Sequence, residues 1–81
     1  MLSGKLVKTD EIKIQGHAYR VRYYATITIR GTQRYSSEVV IGPGDRIIVD
    51  GSSLGDLEWR VARLIPATLY SRALAARAVA A

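Results

Sequence analysis

The chain changes its hydrophobic period once, near residue 50, and that change limits what it can fold into. Residues 5–50 alternate apolar and polar positions with period two, and residues 53–79 repeat apolar positions at helical spacing. Strands that all precede a helix indicate the α+β class rather than a parallel, strand–helix-alternating fold. The expected architecture is a four-stranded antiparallel sheet over about residues 1–50. A C-terminal helical segment over about residues 53–79 then covers its apolar face, giving a two-layer sandwich. With 81 residues, the whole of 1–81 forms one small domain.

The second strand shows the alternation best. Tyr19, Val21, Tyr23, Ala25, Ile27 and Ile29 share one face, and Arg20, Arg22, Tyr24, Thr26, Thr28 and Arg30 share the other. Such a strand has one buried and one open face, as antiparallel sheets do. Ahead of it, Gly16-His17 reads as a two-residue turn of type II′. That turn pairs Ile14 with Tyr19, Ile12 with Val21 and Glu11 with Arg22. The following turn lies near Gly31-Thr32-Gln33. A two-residue loop there would set Ile29 against Arg34, whereas a three-residue loop sets Ile29 by Tyr35, Ala25 by Val39 and Tyr23 by Ile41. Gly42-Pro43-Gly44-Asp45 makes the third turn, and Arg46 to Asp50 a short fourth strand. Three adjacent apolar residues, Ile47, Ile48 and Val49, leave the facing of that strand open.

Ser52 or Ser53 can cap the helix, with Asp56 close to its positive end. Leu54, Leu57, Val61, Leu64, Ile65 and Thr68 form one apolar stripe. Pro66 lacks the amide hydrogen that an interior turn needs, so the helix is expected to break or kink there. Trp59 falls at the border of the stripe, either as core margin or as an interface anchor.

The residues exclude much chemistry. There is no cysteine, so disulfide and thiolate chemistry are out. The lone histidine, His17, falls in an expected turn. No serine sits in a nucleophile elbow, and no phosphate-cradling loop of the G-x-x-x-x-G-K-[ST] type occurs. Asp45 and Asp50 lie at opposite ends of a strand, and Asp56 and Glu58 diverge around a helix, so no metal site is expected. No catalytic residue, metal or cofactor is assigned. The opening residues lack the apolar run of a secretory signal. No run approaches the roughly 18 apolar residues of a membrane span. A cytoplasmic protein without membrane contact is the expectation.

Charge supplies the positive lead. Twelve Lys and Arg stand against seven Asp and Glu, for a net charge of +5. On the expected open face Lys13, Arg20, Arg22, Arg30 and Arg34 surround Tyr24. Cations track phosphates and an exposed ring stacks on a base, so this face is a candidate nucleic-acid site. Glu11 and Glu38 share the face and lower its potential, while Thr26, Thr28 and Ser36 add hydroxyls. A competing expectation is a protein partner. The same pairing sets Val40 beside Tyr24, with Ile48 close by, as an apolar patch rimmed by arginine. Exposed sheet edges add a route to a homodimer. The interface candidates are therefore Tyr24, Val40, Ile48 and Trp59.

The order of strand, then Asp50 through Leu57, then amphipathic helix resembles HicB-like antitoxin domains. Four strands followed by a broken helix are similar to the single-stranded-DNA-binding transcriptional coactivator fold. Both are likenesses of element order and transfer no residue roles.

Overall fold

A computed structural model of the protein describes residues 4–80, with side chains described through residue 78. The reading of the chain's first three residues lies outside this range. Four strands are followed by one helix: β1 (Lys5–Ile14), β2 (His17–Ile27), β3 (Gln33–Gly42), β4 (Asp45–Gly51) and α1 (Leu54–Ala80). The strands form a single antiparallel sheet in the order β1-β2-β3-β4, each joined to the next by a short turn. This is the α+β arrangement expected from the change of period.

The third turn, Gly42-Pro43-Gly44-Asp45, is as expected, but the first two differ, and each difference shifts the pairing by an even number of residues. The first is a two-residue turn at Gln15-Gly16, with φ of 51° and 81°. Two successive positive φ values belong to a type I′ turn, whose twist matches that of the strands. His17 therefore opens β2 opposite Ile14, Ile12 pairs with Tyr19, and Glu11 pairs with Arg20. The second connection spans residues 28–32, longer than expected. The amide of Thr28 donates to the carbonyl of Thr32 and that of Gly31 to the carbonyl of Thr28, both at 2.9 Å. Ile29 stands fully exposed in this loop. As a result Val21 pairs with Val39, Tyr23 with Ser37 and Ala25 with Tyr35. Even shifts preserve the face of every strand side chain and change only its neighbours.

One face of the sheet carries the core. Val21, Tyr23 and Val39 meet Leu57, Val61 and Ile65 of α1, and all six are buried. The three helix residues are four apart, the spacing that stacks side chains on one helix face. Burying each contributes about 1.5–3 kcal/mol. Ile47 and Val49 of β4 join this core from its margin, while Ile48 points the other way. That settles the facing of β4.

Ser53 starts the helix. Its Oγ accepts from the Asp56 amide at 3.2 Å, and its carbonyl accepts from the Leu57 amide at 3.1 Å. The first turn then lies close over Gly51, where an added Cβ would come within 3.3 Å of Leu57 Cβ. The expected break at Pro66 is absent, since α1 runs uninterrupted from Leu54 to Ala80. Pro66 removes one amide donor, and the carbonyl it leaves unpaired belongs to Ala62, four residues back. Both residues are exposed, so water can satisfy that carbonyl.

Candidate polyanion-binding face

The outer face of the sheet is built from the alternate residues of the same strands. Because Val21 and Tyr23 point inward, Arg20, Arg22 and Tyr24 must point outward. Across β1 and β2, Leu6 stands opposite Tyr24, Thr9 opposite Arg22, Glu11 opposite Arg20 and Lys13 opposite Ala18. Across β2 and β3, Tyr24 neighbours Ser36, Arg22 neighbours Glu38 and Thr26 neighbours Arg34. On β4, Ile48 lies by Glu38, Asp50 by Ser36 and Arg46 by Val40.

Lys13, Arg20, Arg22, Tyr24 and Arg34 thus share the face assigned to them. Arg30 does not, because β2 ends at Ile27 and Arg30 sits in the loop that follows. It adjoins the end of the face marked by Arg34. Arg46 also joins the face, a position its local sequence does not reveal. The run Ile47-Ile48-Val49 hid its alternation, and only the position of Ile47 in the core reveals it.

Glu38 is the electrostatic centre of the face. Its carboxylate takes Arg46 Nη1 at 2.9 Å through Oε2, and Arg22 Nη1 lies 3.7 Å from Oε1. The Glu38 side chain is only 11% exposed, so two guanidinium groups cover one acid. Among the described residues Lys13, Arg20, Arg30 and Arg34 have no ion-pair partner. A shallow depression of about 430 Å³ runs between Glu11, Ala18, Arg20, Arg22, Glu38 and Val40.

Three further expectations for this face are corrected. Val40 does not flank Tyr24; it lies four residues along β3 from Ser36, the true neighbour, or about 13 Å away. Tyr24, Val40 and Ile48 therefore form no single patch, although Val40 and Ile48 are each exposed and diagonal to one another. Ser36 offers no hydroxyl to a ligand, being only 5% exposed with its Oγ buried. Thr28 has left the face for the loop, where its Oγ1 accepts from the Thr32 amide at 3.2 Å.

Three of the acids elsewhere are engaged in ion pairs, while Asp10 accepts from the Glu11 amide at 2.8 Å. Asp45 forms a two-pronged bond with Arg72, at 2.8 and 3.0 Å. That guanidinium bond holds the Asp45 carboxyl below its usual range. Asp56 pairs with Arg60 at 3.3 Å, and Glu58 with Lys8 at 3.0 Å. Among the described residues no three His, Asp or Glu side chains gather as a metal-binding group. No helix of the described chain is long and apolar enough to cross a membrane. On the inner face, Lys8 lies 5.8 Å from the centre of the Tyr23 ring. Burial pushes the Tyr23 phenol up to about 12, with Glu58 and then Asp10 adding to the shift.

Comparison with known proteins finds no matching family model, no matching curated protein and no matching solved structure.

Proposed function

We propose that this protein is a non-enzymatic, cytoplasmic binding module that takes nucleic acid on the outer face of its sheet. The supporting observation is the arrangement of charge. Five cations occupy the face and Arg30 adjoins it, against the three carboxylates Glu11, Glu38 and Asp50. Four of these cations lack an ion-pair partner among the described residues. In this reading Lys13, Arg20 and Arg34 meet phosphates along the face, Arg30 adds a contact from the loop, and Tyr24 presents its ring to a base. Neutralising a few phosphates makes affinity fall with salt in proportion to the contacts made.

The test is fluorescence anisotropy of labelled single- and double-stranded oligonucleotides at two salt concentrations. Binding that survives near about 150 mM salt is expected. In Arg20→Ala with Arg34→Ala, affinity should fall, and the logarithmic salt slope should flatten by roughly 1.4–1.8, two contacts' worth. Unchanged binding in that double variant would remove the face from the proposal. A second reading, a protein partner on the same face, is favoured by the exposed diagonal pair Val40 and Ile48. It predicts that the double arginine variant keeps its partner and that Val40→Asp loses it.

A further inference from the structure

The outward side of α1 carries a second stripe that its own chain leaves uncovered. Trp59, Tyr70 and Leu74 are 60%, 66% and 46% exposed, and Pro66 and Ala67 between them are exposed as well. At 100° per residue these positions cluster opposite Leu57, Val61 and Ile65. The stripe therefore points away from the sheet. Beyond Leu69 every described helix residue is exposed, and the Arg72–Asp45 pair is the one side-chain bond to the sheet among the described residues there.

The stripe is complementary to itself when reversed. Laid antiparallel about a two-fold axis between Pro66 and Ala67, one copy sets Trp59 against Leu74 and Arg63 against Tyr70. It also sets Asp56 against Arg77, an acid against a base at each end. The smallest side chain, Ala67, and the flat Pro66 ring fall at the crossing, where two backbones approach most closely. Arg63 already stacks on Trp59, with its guanidinium carbon 4.6 Å from the ring centre, and a facing Tyr70 would complete that stack. A groove of about 400 Å³ lined by Trp59, Arg60, Arg63, Leu64 and Ala67 lies where the facing Leu74 would enter. The parallel alternative sets Asp56 on Asp56 and Arg77 on Arg77, which repel. The Asp56–Arg60 pair does not compete strongly, since exposed pairs four apart on a helix are weak.

We infer that the outer face of α1 is a homodimer interface in which two copies pack their helices antiparallel. The footprint is modest. A helix about 40 Å long and about 10 Å wide covers about 400 Å² per copy, below the usual 800 Å² of a tight interface. The dimer is accordingly weak, with half-assembly in the micromolar range. It leaves the outer sheet face of both copies open, so it stands or falls independently of nucleic-acid binding.

Sedimentation equilibrium of the full chain without nucleic acid, over about 5 to 500 µM, tests the interface. A concentration-dependent dimer is expected. Trp59→Ala or Tyr70→Ala should weaken it about tenfold or more while circular dichroism stays unchanged, because both residues are exposed. Cross-linking reads the orientation, and the chain has no cysteine of its own. Asp56→Cys and Arg77→Cys should each fail to cross-link alone, because like positions stand about 32 Å apart in the antiparallel pair. Mixed and mildly oxidised, the two variants should form a disulfide-linked heterodimer. A monomer at every concentration, or a dimer indifferent to Trp59 and Tyr70, overturns the interface. Asp56→Cys cross-linking with itself overturns the antiparallel arrangement.

Discussion

The two faces of the sheet are made from alternate residues of the same strands, yet different forces hold them. The inner face is apolar at its centre. Val21, Tyr23 and Val39 close against Leu57, Val61 and Ile65, and the charged bridges to the helix among the described residues, Lys8 to Glu58 and Asp45 to Arg72, lie outside that apolar centre. The outer face is held by charge at its centre, where Glu38 gathers Arg22 and Arg46. Burial of apolar area stabilises by kilocalories per side chain, whereas exposed ion pairs contribute about 0–1 kcal/mol each. Stability therefore resides on the inner face. The outer face is free to carry charge, which the proposed binding role requires.

The largest effect that would break this contrast is a cavity on the inner side. Leu57→Ala should cost about 2–5 kcal/mol, because Leu57 is fully buried over Gly51. In a domain whose total stability is about 5–15 kcal/mol, that is a severe loss, read as a lower urea midpoint. Arg34→Ala, on the outer face, should stay within about 0.5 kcal/mol. Comparable losses from the two substitutions would mean that the outer face bears weight assigned here to the core.

The next effect sharpens the contrast through pH. Tyr23 is inward-facing, and its phenol is raised to about 12 from the ordinary 10.0. The folded protein thus prefers the neutral phenol. Its contribution is fully present below pH 10 and is lost as pH rises through about 12. Chemical denaturation across that window should show stability falling in the parent chain. Tyr23→Phe should flatten that part of the fall, and ultraviolet absorbance should show one fewer late-titrating tyrosinate. A window unchanged by Tyr23→Phe would place the ionisation elsewhere.

What the sequence makes legible is parity. Alternation through Tyr19, Val21 and Tyr23 assigns faces correctly, and so Arg20, Arg22, Tyr24, Arg34 and Lys13 are found where they are expected. Register is a separate quantity, set by the turns. Gln15 adopts a positive φ that its side chain does not advertise, and the loop over residues 28–32 exposes Ile29, whose apolar character suggested a longer strand. The first hairpin is shifted by two residues and the second by four. Faces survive such slips and neighbours do not, which is why Val40 parts from Tyr24 and Arg30 leaves the sheet. The continuity of α1 through Pro66 was hidden for a related reason. Proline disfavours a helix by its local chemistry, whereas the anchoring of Val61 and Ile65 in the core acts over the whole element.

Glu38→Gln should give a small effect on stability and the most informative one on binding. Glu38 opposes two arginines, and losing its charge removes both pairs at once. The stability loss should be no more than about 1 kcal/mol, since both arginines are largely exposed and can turn to water. Affinity for a polyanion should move in the opposite direction. With the carboxylate gone, Arg22 and Arg46 become available to phosphates, so binding tightens and the salt slope steepens by about one to two units. The two readouts are separable on one sample, by denaturation and by anisotropy. A slightly weaker fold with tighter, more salt-sensitive binding fits an outer face whose charges are partly held back by Glu38. Binding unaffected by the substitution would show that the polyanion is met elsewhere, on the cationic helix for instance, where Glu38 has no reach.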